Sequence, residues 1–437
     1  MRKWSFWLVV ASVFLAPAAY GNEQTLRIHG SNTIGERLMP ELVEAWLRSQ
    51  GQNQVARQQL AFEEIVLRSA GRLGAVDVEL HAHGSSTAFK DLMVGTADLG
   101  MASRRVSPAE VANANHLGQL DSARQEIVLA LDGLAIIVPE SNSLRTISLA
   151  DVQRLFSGQI INWGQLGQGQ QVVRLFARDE RSGTWDSFRQ VVLVDLALDS
   201  GAERFESTAE LAAAVAADRG GIGFVGLTGI NGVRALAVSH GGDALPPSAQ
   251  EVAVEDYPLS RRLYLYAPEK MTPLASSLLD FVRSDEAQVI IERAGFVSQR
   301  IRAYQPAMRA GSSDVYRNLV DGAVRLSVNF RFNPASAALD NKSQQDIERL
   351  QAFMRQPEQR GKRLILIGFA DGAEVMPVQA EQLSSERADQ VAAALLAYQI
   401  PVERVRGVGD TAPVAPRSSA LGQVRNRRVE VWMRDAN

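Results

Sequence analysis

The stretch Val76-Asp-Val-Glu-Leu-His-Ala-His-Gly-Ser-Ser-Thr-Ala88 changes its period halfway. Val76, Val78, Leu80 and Ala82 alternate with Asp77, Glu79, His81 and His83, and a period of two predicts a half-buried strand. After Gly84 a hydroxyl-rich turn opens a helix predicted over 86–94. A strand that runs through small residues straight into a helix is a building unit of α/β proteins. Two more segments share the design, Arg27-Ile-His-Gly-Ser-Asn-Thr-Ile-Gly35 and Arg178-Asp-Glu-Arg-Ser-Gly-Thr-Trp185. Around them the pattern predicts strands at 134–138 and 172–177 and helices at 151–156 and 184–193. Residues 25 to about 302 therefore read as an α/β domain with parallel sheets.

Each of the three segments would present unpaired backbone N–H groups, the positive end of a helix dipole and a Ser or Thr hydroxyl. Glycine lets a ligand approach the backbone closely. Taken singly these are ordinary N-caps, where Ser and Thr are favoured anyway. Taken together they suit a small tetraoxyanion without a large net charge.

Pro306, Gly311, Ser312 and Ser313 mark 306–322 as a linker. About ten extended residues there would reach at most ~35 Å. Beyond it Leu326, Val328, Phe330 and Phe332 alternate with Arg325, Ser327, Asn329 and Arg331, an amphipathic strand. A helix containing Ile347, Leu350 and Met354, a strand at 364–367, a helix at 383–398 and a strand at 428–433 make 323–437 an α+β domain. At 100° per residue Arg387 falls inside the stripe of Leu383, Val391, Ala394 and Tyr398. A charge aimed inward needs a partner or a ligand, and Asp371 at the end of the preceding strand is the candidate.

The chain of 437 residues is long enough for two or three cores. Its 46 basic and 49 acidic side chains give no surplus of positive charge for nucleic acid. It has no cysteine, which excludes disulfides, thiolate metal sites and cysteine nucleophiles. Met1-Arg2-Lys3, an apolar run over 4–16 and small residues up to Gly21 predict an export signal, 1–21, cut after Gly21. The run is short for a membrane span. The mature protein is expected to be soluble in the periplasm.

Residues 22–305 resemble the PstS-like phosphate-binding proteins, the periplasmic receptors of phosphate ABC transporters. The resemblance rests on Gly30-Ser-Asn-Thr-Ile-Gly35, Gly84-Ser-Ser86, the run Gly95 to Arg104, Leu155-Phe-Ser-Gly158 with Asn162-Trp163, Arg178 with Ser182-Gly-Thr184, and Gly220-Gly-Ile-Gly-Phe224. It implies a two-lobed type II periplasmic-binding-protein fold, one lobe at about 25–107 and 237–305 and the other at 108–236. It also implies that Thr33, the Ile34 N–H, Ser85, Arg178, Ser182, Gly183 and Thr184 hold inorganic phosphate, with Asp179 or Glu180 orienting Arg178. A phosphate ABC permease is the partner such a receptor would serve in phosphate transport. Some members of the family carry at position 103 an aspartate that selects against sulfate, and Ser103 here removes it.

The C-terminal domain is similar to the OmpA-like peptidoglycan-binding domain in Phe330 to Leu339, Gly368-Phe-Ala-Asp371, Leu383 to Ala388, Val408-Gly-Asp410 with Pro413, and Asn426-Arg-Arg-Val-Glu430. The similarity implies that Asp371 and Arg387 grip the diaminopimelate of a peptidoglycan stem peptide on the outer-membrane side. Arg427 and Arg428 are secondary candidates, or strand residues only. Phe369, Ala370 and Ala380 depart from the polar residues common in that family.

His81 and His83 lie on one face of a strand, but no carboxylate or third histidine stands at a recognisable spacing. They read as a solvated polar face, so neither a metal nor another cofactor is expected. No nucleophile elbow or His-Glu-x-x-His is present, and Ser85 or Ser182 as a nucleophile would lack a visible base. The resulting expectation is a binding protein and not an enzyme. The alternative is a structural wall-associated protein whose first domain binds another anion or none.

Overall fold

The computed structural model describes residues 24–61, 63–180, 182–309, 312–332, 338–373, 377–417 and 420–435. The expected export signal, 1–21, lies outside them. Among the described residues the first part of the chain contains β1 (Gln24–Gly30), α1 (Asn32–Gly35), β2 (Gln52–Ala61), β3 (Glu64–Gly71), β4 (Gly74–His81), α2 (Ser85–Met93), β5 (Leu99–Ala102) and β6 (Glu126–Val138). β7 (Arg174–Arg178), α3 (Gly183–Phe188), β8 (Glu203–Phe205), β9 (Gly221–Gly226) and β10 (Ser260–Tyr266) follow, among shorter elements. The strands form one curled sheet in the order β2-β3-β4-β1-β5-β10-β6-β9-β7-β8. Parallel pairing holds where strand–helix units were expected, β1 with β4 and β5, and β7 with β8 and β9. The rest is antiparallel, in the β2-β3-β4 meander, where β10 meets β5, and where β6 meets β9 and β10.

β6 divides the domain. All thirteen of its residues are buried. Ile127, Leu129 and Ala130 join a core with Leu26, Trp46 and Leu263, whereas Leu131, Leu134, Ile136 and Val138 join another with Phe156, Phe188 and Phe224. The chain thus changes lobes inside β6 and returns at β10. This differs from the division at 107/108 and 236/237. Ala114, Leu120 and Val128 pack with Phe89 and Tyr266 on the first lobe, and Val238, Leu245, Val252 and Tyr257 stay in the second. The physical reason is that the long antiparallel strands do the crossing, while the loops near 107 and 236 return to the lobe they left.

The C-terminal domain contains β11 (Ala303–Tyr304), α4 (Asp314–Val320), β12 (Val324–Arg331), α5 (Asn341–Met354), β13 (Lys362–Gly368), α6 (Pro377–Ala397), β14 (Val402–Gly407) and β15 (Arg428–Asp435). Its sheet runs β11-β12-β15-β13-β14. The stretch expected to be linker holds α4. Tyr316 and Val320 pack with Ile365, Ile367, Phe369 and Trp432, so part of that stretch belongs to the domain's core.

The polar face of β12 is not solvated. Arg325, Asn329 and Arg331 are buried against the first domain. There Asp256, fully buried, accepts hydrogen bonds from Arg309 (2.7 Å), Arg325 (3.0 Å), Arg331 (3.1 Å) and Asn329 (3.2 Å). Arg425 donates to the carbonyls of Pro258 and Ser260 at 3.1 and 3.2 Å. On the first lobe, Asn341 at the start of α5 reaches Asp121 O (2.7 Å) and Glu126 Oε1 (2.9 Å). The C-terminal domain is therefore docked on both lobes, across the strands that join them.

Candidate functional site

β1 ends in Gly30, whose backbone sits at φ 138° with its Cα against β5; a Cβ there would lie 2.0 Å from Met101 O. The chain then turns into α1 and places Thr33 at the cleft. From the second lobe, α3 is opened by Ser182, whose Oγ accepts the Thr184 N–H at 3.2 Å. The two lobes meet here. Thr33 Oγ1 donates to Gly183 O at 3.1 Å, and any side chain at Gly183 would approach Thr33 Cα to 2.5 Å. A cavity of about 210 Å³ between them is lined by Thr33, Arg178, Gly183 and Thr184, together with Glu36, Asp132 and Thr208. Ser182 lines a neighbouring cavity of about 380 Å³ with Arg178, Asn32 and Glu36.

Arg178 is buried and locked by three contacts, Nε to Phe205 O (3.3 Å), one terminal nitrogen to Thr208 Oγ1 (2.5 Å) and the other to Glu206 O (2.7 Å). Burial lowers its pKa, opposed by the charges of Glu36 and Asp179. Glu180 turns away to Arg204 at 3.2 Å. The Ile34 N–H points back to Ser31 O at 3.2 Å, within the first turn. Ser85 Oγ accepts the Ser103 N–H and lies 3.0 Å from Ser103 Oγ, so these two hydroxyls engage each other. The structure thus gathers Thr33, Arg178, Gly183 and Thr184 around one cavity and sets Ser182 beside it, while Ser85 and Ile34 have internal partners.

Three side chains at the cleft were not foreseen. Arg261, from β10, donates to Thr33 Oγ1 at 2.7 Å and to Asp132 at 3.2 Å, and also meets Ser187. Asp132 was detectable, since it is an acid in the middle of the apolar run of β6, whereas Glu126 stands at the strand's start. Arg261 sits in a strand with two adjacent arginines and carries no such signal. The third is Glu36, whose Oε2 accepts the Gly183 N–H at 3.2 Å. That N–H is one an anion at the start of α3 would use. Replacing Glu36 with Gln is expected to tighten dianion binding at least ~5-fold, since like charges ~4 Å apart repel by about 1 kcal/mol even in water. Calorimetry of the variant checks this, and unchanged affinity would mean that the carboxylate swings clear on binding.

In the C-terminal domain Asp371 and Arg387 are both buried. Asp371 accepts the Ala373 N–H (2.8 Å) and the Asn426 amide (2.6 Å). α6 packs directly on the end of β13, where a Cβ on Gly368 would lie 2.0 Å from Ser384 O and 3.1 Å from the Ala388 Cβ. α6 also carries Arg387, its guanidinium 5.4 Å from the centre of the Phe332 ring. Arg428 is held by Glu430 at 2.9 Å and stacks 3.8 Å from the Phe369 ring centre. Arg427 Nε donates to Gln423 O at 3.0 Å. Phe369 and Ala370 are buried, so the apolar departures serve packing.

Comparison with known proteins fits this geometry. The model of the PBP superfamily domain matches residues 58–286, and that of the OmpA family matches 331–427. The phosphate-binding protein PstS of Pseudomonas aeruginosa is 29% identical over 254 residues, covering 54% of this chain and 78% of that protein. PstS of Bacillus subtilis is 27% identical over 227 residues, covering 51% and 71%. The crystal structure of an ABC-type phosphate transport receptor from Vibrio cholerae has a TM-score of 0.50 at 21% identity, over 62% of this chain and 99% of that one, a likeness of fold. With two lobes meeting at a polar cleft and an α+β domain behind them, the chain belongs to the PBP superfamily and carries a C-terminal OmpA family domain.

Proposed function

We propose that this is a periplasmic phosphate-binding protein, not an enzyme, held to peptidoglycan by its C-terminal domain. The observation that carries the reading is the convergence of Thr33, Arg178, Gly183 and Thr184 from two lobes on one small cavity. Helix-start N–H groups, a hydroxyl and a guanidinium are the donors a tetraoxyanion requires. The likeness to phosphate-binding PstS proteins supports phosphate as the anion. Thermal unfolding with and without phosphate tests it. Ligand at 100 times its Kd adds about 2.7 kcal/mol and should raise Tm, whereas no shift at millimolar phosphate counts against it.

One observation favours a second reading. Glu36 already occupies the Gly183 N–H, as it would in a domain that has given up anion binding. Titration of the native chain separates the two, because the second reading predicts no phosphate binding while Glu36 is in place and the first predicts binding that Glu36→Gln tightens.

An export signal cut after Gly21 would deliver the protein to the periplasm, and no helix among the described residues is long and apolar enough to cross a membrane. Asp371 and Arg387 would take the ammonium and carboxylate of diaminopimelate, with Arg427 nearby. The double change Asp371→Asn with Arg387→Gln keeps shape and removes both charges. It is expected to abolish pull-down on diaminopimelate-type peptidoglycan, and full retention by a folded double variant would refute the grip. A phosphate ABC permease is the partner this reading implies.

A further inference from the structure

His81 ends β4 and His83 follows two residues later, and sequence spacing supplied no third ligand. The sheet supplies one. β3 pairs antiparallel with β4, and its first residue, Glu64, stands directly opposite His81. Ligand atoms of Glu64, His81 and His83 lie within 4.8 Å of one another, and Glu64 Oε1 is 3.0 Å from His83 Nε2. Two ligand atoms on a tetrahedral zinc, each about 2.0–2.1 Å from the metal, sit roughly 3.3 Å apart. The spacing therefore needs only small side-chain movements to close on an ion. The two imidazoles are not stacked on each other. Their planes cross at 77° with centroids 6.0 Å apart, an arrangement in which both can aim a nitrogen lone pair at one point.

We infer that Glu64, His81 and His83 form a binding site for a divalent transition-metal ion, with Zn2+ as its occupant. Two further residues fit the role. Glu63 Oε2 lies 3.7 Å from His83 Nδ1, the nitrogen left over when Nε2 takes the metal. A carboxylate behind the second ring nitrogen fixes the tautomer and orients the ring of a ligating histidine. His29 stacks flat on His81, 4.2 Å between centroids and 11° between planes, and is itself tied to Asp91 at 2.8 Å. A parallel ring cannot share the ion in its own plane, so His29 acts as a buttress that holds His81 in place. Two imidazoles and one carboxylate leave a coordination position open to water or an anion. The site lies where β3 begins and β4 ends, and Glu64 and His83 are partly exposed there, so an ion has access.

The test uses the full chain without a polyhistidine tag, stripped with chelator and kept free of phosphate. Titration with ZnCl2 by calorimetry is expected to show one equivalent bound. His81→Asn and His83→Asn should each lower the affinity at least ~10-fold, and Glu63→Gln should lower it less than either, as an outer-shell change does. Circular dichroism confirms that the variants are folded. No zinc uptake by the native chain overturns the assignment, and so does native affinity in either folded histidine variant.

Discussion

Replacing Asp256 with alanine is expected to cost about 3–5 kcal/mol of stability, the usual penalty for leaving buried charges without their counter-ion. Three arginines, Arg309, Arg325 and Arg331, converge on this one carboxylate; Arg325 and Arg331 are buried with it and Arg309 is partly buried. Burial pushes the Asp256 carboxyl up, but Arg309, Arg325, Arg428 and Arg331 together outweigh it and hold the group well below the usual carboxylate range. Glu430, in the same network, is likewise penalised by burial and pulled down by Arg325 and Arg428 to about 2. The sign follows from linkage. A folded pKa below the unfolded value of about 4.3 gives stability that is fully present above that value and is lost as pH falls towards 2. Urea unfolding of the native chain should therefore show stability flat near neutrality and falling below about pH 4. Asp256→Ala should lie several kcal/mol lower at pH 7. A variant within 0.5 kcal/mol of the native chain would show that the docking of the two domains does not depend on this network.

Arg178→Ala should weaken phosphate binding by at least ~2 kcal/mol, roughly 30-fold, since hydrogen bonds to a charged group contribute about 1.5–3 kcal/mol each. A guanidinium has five N–H donors, and the contacts to Phe205 O, Thr208 and Glu206 O use three of them. The remaining two are free to serve a ligand while the group is held rigid. Lysine has neither the planar fork nor enough donors, so Arg178→Lys should recover little. Isothermal calorimetry of each variant checks this, and near-native affinity in Arg178→Ala would remove the residue from the site.

The strand-to-helix segments and their lobes were legible because each carries its own signal, a period of two followed by small residues and a helix. The two strands just before β4 were not, and in the first of them Gln52–Ala61 is largely exposed and polar and shows little alternation. The lobe boundary was misplaced because β6 is continuously apolar, and only Asp132-Gly133 hints that it serves two cores. At the cleft, Thr33, Arg178 and Gly183 lie within motifs. Glu36 and Arg261 become neighbours only through the fold, 147 and 228 residues from the groups they contact. The docking surface was the least visible. Arg325, Asn329 and Arg331 read only as the polar face of an amphipathic strand, because alternation distinguishes polar from apolar positions but cannot tell water from a buried carboxylate. The same blindness made His81 and His83 look isolated, since Glu64 is 17 residues upstream in sequence and directly opposite in register.

Calorimetric titration of the anion-stripped full chain with inorganic phosphate tests the central claim most directly. One equivalent bound with micromolar or tighter affinity, about −8 kcal/mol or better, is the predicted result. Absence of a binding isotherm at millimolar phosphate, in a chain shown to be folded, would contradict it.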